Sequence, residues 1–238
     1  MKKAIIVGAT SGIGRNLAKL LINDSYQVGI TGRRANLLED IKSENPDNYK
    51  TKAFDITDLK NIPEYLVQLT HELGGLDLLL ISSGTGDINT ELDFETEKQT
   101  IDTNVSGFTV VADWAFNYFQ QQKHGHLVAI SSIAGLRGNS QAPAYSATKA
   151  YQINYLESLR IKAHKTSLPI FITDIRPGLV DTDMAKGDGL FWIAPVDKAA
   201  NQILKAIHKK RKTAYVTKRW GVIARLLKLL PNWIIERM

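Results

Sequence analysis

The sequence predicts an α/β fold, a doubly wound parallel sheet of about seven strands with helices on both faces. Three observations predict it. Short apolar runs bounded by turn residues alternate with longer segments of helical periodicity along the chain. The apolar runs are continuous rather than alternating, as strands covered on both faces require. The first run leads into a glycine-rich turn that opens the first helical segment.

The runs at 3–7, 27–31, 51–54, 76–82, 126–131 and 170–175 read as strands, and 13–23, 37–43, 62–73, 95–121 and 145–164 as helices. Gly8 stops the first strand, and the second ends in Gly29-Ile30-Thr31-Gly32-Arg33-Arg34. Asp55-Ile56 follows the third, and the fourth runs into Ile81-Ser82-Ser83-Gly84. The fifth ends in Ile130-Ser131-Ser132, and the sixth leads into Pro177-Gly178. There is no internal repeat, low-complexity tract or linker, so 1–238 reads as one dinucleotide-binding domain.

The turn Gly8-Ala9-Thr10-Ser11-Gly12-Ile13-Gly14 follows a strand and opens a helix, the context that gives glycines meaning. Glycines let the backbone approach a phosphate, and the helix N-terminus offers unpaired N–H groups and partial positive charge. The spacing is G-x-x-x-G-x-G without a Lys-Ser/Thr ending, which points to a dinucleotide rather than a mononucleotide loop. After the second strand, where an acidic residue usually holds the ribose of NAD, stand Arg33 and Arg34. A guanidinium suits a 2′-phosphate, so NADP(H) is expected over NAD(H), with Arg33 the first candidate and Arg34 the second. Solvated arginines at a strand end remain the alternative.

Composition excludes several classes. With no cysteine there are no disulfides, thiolate zinc sites or cysteine nucleophiles, and a reducing compartment fits. Five scattered histidines form no metal pattern, so no metal is expected. The N-terminal apolar run is too short for a signal peptide and no apolar stretch approaches a membrane span, so a cytoplasmic location is expected. The net charge of +6 comes mostly from the end of the chain, and no nucleic-acid recognition module accompanies it.

Tyr145-Ser146-Ala147-Thr148-Lys149 sets a tyrosine and a lysine one helical turn apart, on the same face of a helix. Alone this spacing is no better than chance. Its company changes that. The glycine turn, Asp55-Ile56, Asn104 in Asp102-Thr103-Asn104-Val105-Ser106-Gly107, Ser132 thirteen residues before Tyr145, and Pro177-Gly178-Leu179-Val180-Asp181-Thr182 occur in order. In these motifs the chain resembles the short-chain dehydrogenase/reductase family over nearly its whole length. Val7 stands where that family usually has threonine. Ile81-Ser82-Ser83-Gly84 stands where it reads Asn-Asn-Ala-Gly, so Gly84 survives while Ser82 replaces an amide.

The resemblance implies a Rossmann-like fold, a homodimer or homotetramer, and hydride transfer between NADP(H) and a small-molecule carbonyl or alcohol. Cofactor contacts are implied for Gly8, Thr10, Ser11, Gly12, Ile13, Gly14, Arg33, Arg34, Asp55, Ile56, Ser82, Gly84, Tyr145 and Lys149. Pro177, Gly178, Val180 and Thr182 are implied beside the nicotinamide. Tyr145 would be the acid/base. Its unperturbed pKa near 10 is too high for neutral pH, and a nearby lysine ammonium favours phenolate. Lys149 would supply that charge and bind the nicotinamide ribose. Ser132 would hold the substrate oxygen, and Asn104 a water connecting Lys149 to solvent. A catalytically idle nucleotide sensor on the same fold is the alternative, although such relatives usually lose the Tyr/Lys pair. An epimerase or dehydratase is a weaker rival.

The resemblance also implies that 187–238 is a substrate lid followed by a basic amphipathic C-terminal segment; in 187–194, Leu190, Phe191, Trp192 and Ile193 read as an apolar cover, or as plain core. Farther on, Trp220, Ile223, Leu226, Leu227 and Leu230 recur at helical spacing with Arg225 and Lys228 off the stripe. Three readings fit that segment: packing on the domain or a second subunit, lying on an anionic membrane surface, or flanking a channel for a lipid-like substrate.

Overall fold

The computed structural model describes residues 1–185 and 191–237. Seven parallel strands form one sheet: β1 (Lys2–Val7), β2 (Tyr26–Gly32), β3 (Tyr49–Ala53), β4 (Leu78–Ile81), β5 (Gly125–Ile130), β6 (Ile170–Pro177) and β7 (Thr213–Val216). Their order is β3-β2-β1-β4-β5-β6-β7. The chain therefore winds outward from β1 in one direction and then from β4 in the other. This is a Rossmann-like topology, and its reversal between β1 and β4 opens a crevice at the C-terminal ends of those strands.

Six of the strands fall on the expected apolar runs, with shifted ends. The seventh, β7, is only four residues long and follows Lys209-Lys210-Arg211-Lys212, so its apolar signal is drowned by charge. Successive residues of the central strands point to opposite faces, and each face has its own core. Ile6, Ile30, Leu80 and Val128 meet Leu17 and Leu21 of α1 (Gly12–Asn23), Ile41 of α2 (Ala35–Glu44) and Ile203 of α7 (Val196–His208). Ile5, Leu79 and Leu127 meet Leu66 of α3 (Ile62–Leu73), Phe116 of α5 (Phe108–Gln122) and Leu156 of α6 (Pro143–Thr166). Fully burying each such side chain contributes about 1.5–3 kcal/mol, so the strand ends are held firmly.

The helix expected over 95–121 is three pieces: α4 (Phe94–Ile101), a π-helical turn (Asp102–Gly107) and α5. The wide turn falls where Asn104 is 0% exposed, and π turns of this kind recur at functional sites. No space remains for a side chain at Gly107, where a Cβ would come within 2.3 Å of the Ile56 carbonyl oxygen.

The C-terminal stripe divides. On α8 (Lys218–Leu229), Trp220 and Ala224 are buried and Ile223 and Leu227 half-buried, facing the domain. Leu226, expected on that inner stripe, is exposed, and with Val222, Leu229 and Trp233 of α9 (Asn232–Ile235) it forms a second, outward apolar stripe. The sequence pattern merged two faces because apolar residues occupy both. The C-terminal end of α8 is fastened by Arg137, whose guanidinium donates to the carbonyls of Leu227 (2.8 Å), Lys228 (3.2 Å) and Leu230 (2.8 Å). Cations favour this end of a helix. No helix among the described residues is long and apolar enough to cross a membrane.

Candidate active site

The crevice is bounded first by the β1–α1 turn. Gly8 has φ +91°, and a Cβ there would stand 2.5 Å from the Ser83 amide nitrogen after β4. A Cβ on Gly14 would stand 2.0 Å from the Gly8 carbonyl oxygen and 3.1 Å from Ser82 Oγ. Only glycine permits this approach of backbone to backbone. The amides of Gly8 and Ala9 donate to the Thr31 carbonyl, and those of Ser82 and Ser83 to the Val7 carbonyl, so both turns are fixed to the sheet. Ser11 begins α1 without a side-chain cap, which leaves the first N–H groups, those of Gly12, Ile13 and Gly14, to an anion. A cradle with no Cβ at three positions and an uncapped helix fits a phosphate group.

The two arginines part company. Arg34 Nη2 donates to Thr10 Oγ1 at 2.7 Å and Ser11 Oγ at 3.0 Å, resting on the turn itself. Arg33 is 76% exposed and lies 3.7 Å from Asp55 Oδ2. Asp55 Oδ1 accepts from the amide and hydroxyl of Thr57, and Ile56 is buried. Ile81, where the family resemblance anticipates an amide, is buried in the core against α5.

The segment after β6 closes the far side. The Gly178 amide donates to the Val216 carbonyl at 2.6 Å, and the indole of Trp220 covers Gly178 so tightly that a Cβ would lie 2.2 Å from it. Val180 bridges to Ala194, and Thr182 Cγ2 reaches within 3.2 Å of a Cβ on Gly12. Pro177, Gly178, Val180 and Thr182 thus lead from the sheet to the glycine turn. Of the expected lid, Phe191, Trp192 and Ile193 are half exposed, and Phe191 and Trp192 meet Trp220 ring to ring. Gly187, Asp188, Gly189 and Leu190 lie outside the described residues.

At the mouth of the crevice, Ser132 lies two residues past β5 and caps a short 3-10 turn, its Oγ accepting from the Ala134 amide at 3.1 Å. Tyr145 and Lys149 stand one turn apart on α6, with Nζ 5.7 Å from the phenol ring centre. Lys149 is 3% exposed and its ammonium donates to the Ile130 carbonyl (3.1 Å) and Gln152 Oε1 (3.0 Å). A Cβ on Gly84 would lie 3.3 Å from both Lys149 Nζ and Asn104 Oδ1. The Asn104 carboxamide is committed to protein: it accepts from the Thr85 amide (2.9 Å) and donates to the Thr85 carbonyl (2.6 Å) and Thr148 Oγ1 (3.1 Å).

Burial governs the charges here. It pushes the Tyr145 phenol above its ordinary value, and the hydrogen bond with Ser132 pulls the other way. It depresses Lys149 to about 8, against the pull of the Asp174 carboxylate. Desolvation is thus the largest influence on Tyr145, and it leaves the phenol above its ordinary value although a lysine stands one turn away. The arrangement leaves a neutral phenol, a hydroxyl and a lysine near its titration point around one opening.

Sequence reasoning missed three neighbours of this cluster: Gln152, Asp174 and Gly86. The last lets the Tyr145 ring come close to backbone, since a Cβ there would be 2.2 Å from Cδ2. Among the described residues no group of three or more side chains could hold a metal ion.

The chain is similar to known proteins over nearly its whole length. The family model described as short chain dehydrogenase matches residues 2–189. An uncharacterized oxidoreductase of Myxococcus xanthus is 32% identical over 244 residues, covering 99% of this chain and 95% of that one. Among solved structures, the closed form of serine dehydrogenase complexed with NADP+ superposes with TM-score 0.81 at 26% identity, covering 90% of this chain and 94% of that one. ElxO with NADP bound gives 0.80 at 22% identity, with 90% and 96% covered. A family match over most of the sequence thus joins a relative that aligns nearly end to end, and the chain belongs to the short-chain dehydrogenase family.

Proposed function

We propose that this oxidoreductase uses NADP(H) to reduce a carbonyl, or to oxidise a secondary alcohol, with Tyr145 as acid/base. The observation that carries this reading is the convergence of Ser132, Tyr145 and Lys149 beside Gly84, at the open end of the crevice. NADPH bound in that crevice would supply the hydride. Tyr145 gives its proton to the substrate oxygen, which Ser132 holds in line through its hydroxyl. Lys149 steadies the phenolate that remains and meets the ribose with its free donor. Asn104 fixes Gly84-Thr85 against the lysine. A role confined to binding the nucleotide is the second reading. An NADPH-consumption screen over ketones, aldehydes, quinones, sugars, steroids and acyl thioesters separates the two. Turnover of any class supports the enzyme, and binding without turnover of all of them favours the sensor.

The 2′-phosphate of NADP(H) is assigned to Arg33, which carries only a loose ion pair, and then to Arg34 on the glycine turn. Serine dehydrogenase and ElxO, similar in fold, are described with NADP+ or NADP bound. Fluorescence titration is expected to give far tighter binding of NADPH than NADH. Hydrogen bonds to charged groups contribute about 1.5–3 kcal/mol, so Arg33→Ala and Arg34→Ala should each narrow that preference by at least about tenfold. Equal affinities for the two nucleotides would defeat the assignment.

As partners we assign a second copy of the chain, in a dimer or tetramer, and an anionic membrane surface met from the cytoplasm. The outward stripe of Val222, Leu226, Leu229 and Trp233 is accompanied by Lys218, Arg219, Arg225 and Lys228, the composition of an interfacial helix. Flotation with anionic vesicles, lost in neutral vesicles and in Leu226→Ser/Trp233→Ser protein, is the expected result. Absence of flotation would remove the membrane from the assignment.

A further inference from the structure

Gln152 lies one turn beyond Lys149 on α6 and is 1% exposed. A buried carboxamide must satisfy both its ends. Its Oε1 accepts from Lys149 Nζ at 3.0 Å, and its Nε2 donates to the backbone carbonyl of Asn104 at 2.9 Å. Turned over, the amide would set its NH2 against an ammonium and its oxygen against a carbonyl, so the two partners dictate its orientation. One side chain thereby joins the π-helical turn to the lysine beneath Tyr145.

We propose that Gln152 is a positioning residue for the reaction: it clasps the Lys149 ammonium to the Asn104 carbonyl and favours its charged form below Tyr145. The proposal rests on the acid–base reading given above. An ammonium has three donors. Ile130 takes one, Gln152 a second, and the third is left for the crevice beside Gly84. A bond with an ionised donor is one of the strong ones, and here the ammonium donates to a neutral acceptor. A carboxylate in its place would hold the lysine harder, yet it would face the Asn104 carbonyl and oppose the phenolate that forms on Tyr145. A hydrocarbon would leave both the ammonium and the carbonyl short of a partner. Glutamine is the residue that supports the ammonium without adding a second charge to the site.

The other groups around Lys149 belong to several elements. Tyr145 faces it from α6 itself, and Asp174 acts on it from β6 with Arg176 bound to that carboxylate. The end of β5 offers the Ile130 carbonyl, and the π turn the uncharged Asn104. Asp174 is itself committed to Ser131 and Arg176, and among the described residues Gln152 is the side chain that hydrogen-bonds the ammonium directly.

The test follows Lys149 itself and needs no substrate. Full-length protein with isotope-labelled lysine is titrated by NMR, and the Lys149 signal is identified by its loss in Lys149→Met. Gln152→Leu is expected to lower the Lys149 midpoint by about one unit, a tenfold change in its ionisation constant, and Gln152→Glu to raise it by about as much. Midpoints unmoved in both, even with lower thermal stability, would reduce Gln152 to packing and overturn the proposal. Should Gln152→Leu fail to fold, the nearly isosteric Gln152→Glu decides alone. Shifted midpoints in the Gln152 variants, combined with a fully active Tyr145→Phe enzyme, would point instead to failure of the acid–base reading.

Discussion

Tyr145→Phe is expected to cut turnover by about 10²–10⁴-fold, the usual contribution of a positioned acid, and to leave NADPH affinity unchanged. The substitution removes one hydroxyl and little else. The ring remains close to Gly86 and within cation–π distance of Lys149, so the crevice keeps its shape. What goes is the proton donor and its hydrogen bond with Ser132. Single-turnover oxidation of NADPH measures the first effect, and fluorescence titration the second. A variant that still turns over would remove Tyr145 as the acid. The pH profile of the unsubstituted enzyme carries the same logic. Lys149 is charged below its pKa and neutral above it, and burial sets that value at about 8. The support it gives to a tyrosine phenolate is therefore complete in mild acid and lost as pH rises through about 8. Reduction is expected to decline over that window, although the phenol itself is pushed upward.

What was legible in the sequence was local. The glycine turn and the Tyr145–Lys149 pair are contiguous patterns whose spacing survives in one dimension, and the continuous apolar runs announce strands covered on both sides. What was hidden depends on distance in the chain or on burial. Gln152 acquires meaning only when the helix carrying it meets the carbonyl of Asn104, 48 residues earlier. The lowering of Tyr145 expected from its lysine failed to appear because sequence shows the neighbouring charge and not the loss of water around it. The departure at Ile81 finds its reason in packing, since that side chain is part of the core facing α5. The C-terminal segment misled for the opposite reason: apolar residues lie on both sides of α8, and periodicity alone does not say which side faces the protein.

Asp174→Ala is expected to destabilise the fold by about 3–5 kcal/mol, the cost of breaking a buried ion pair from one side. Asp174 is 0% exposed; its carboxylate accepts from Ser131 Oγ at 2.5 Å and from Arg176 Nε at 2.6 Å. Without it, the buried Arg176 guanidinium is left with Tyr215, a 3.3 Å contact with the hydroxyl and a cation–π contact 5.8 Å from the ring centre, and with no carboxylate partner among the described residues. For a chain of this size the loss corresponds to a fall of about 6–20 °C in melting temperature, measured by calorimetry. Arg176→Met in the same protein removes the stranded cation, and replacing both members of a buried pair is often neutral, so the double variant should recover most of the stability. Function should not recover with it. Asp174 opposes the depression of Lys149 and holds Ser131, the neighbour of Ser132. In the double variant Lys149 is expected to titrate lower than in the parent, so the alkaline decline in activity begins at lower pH although the protein is folded. A double variant with restored stability and an unchanged pH profile would mean that Asp174 supports the sheet alone. A profile displaced to lower pH would mean that the same carboxylate serves the core on one side and the lysine on the other.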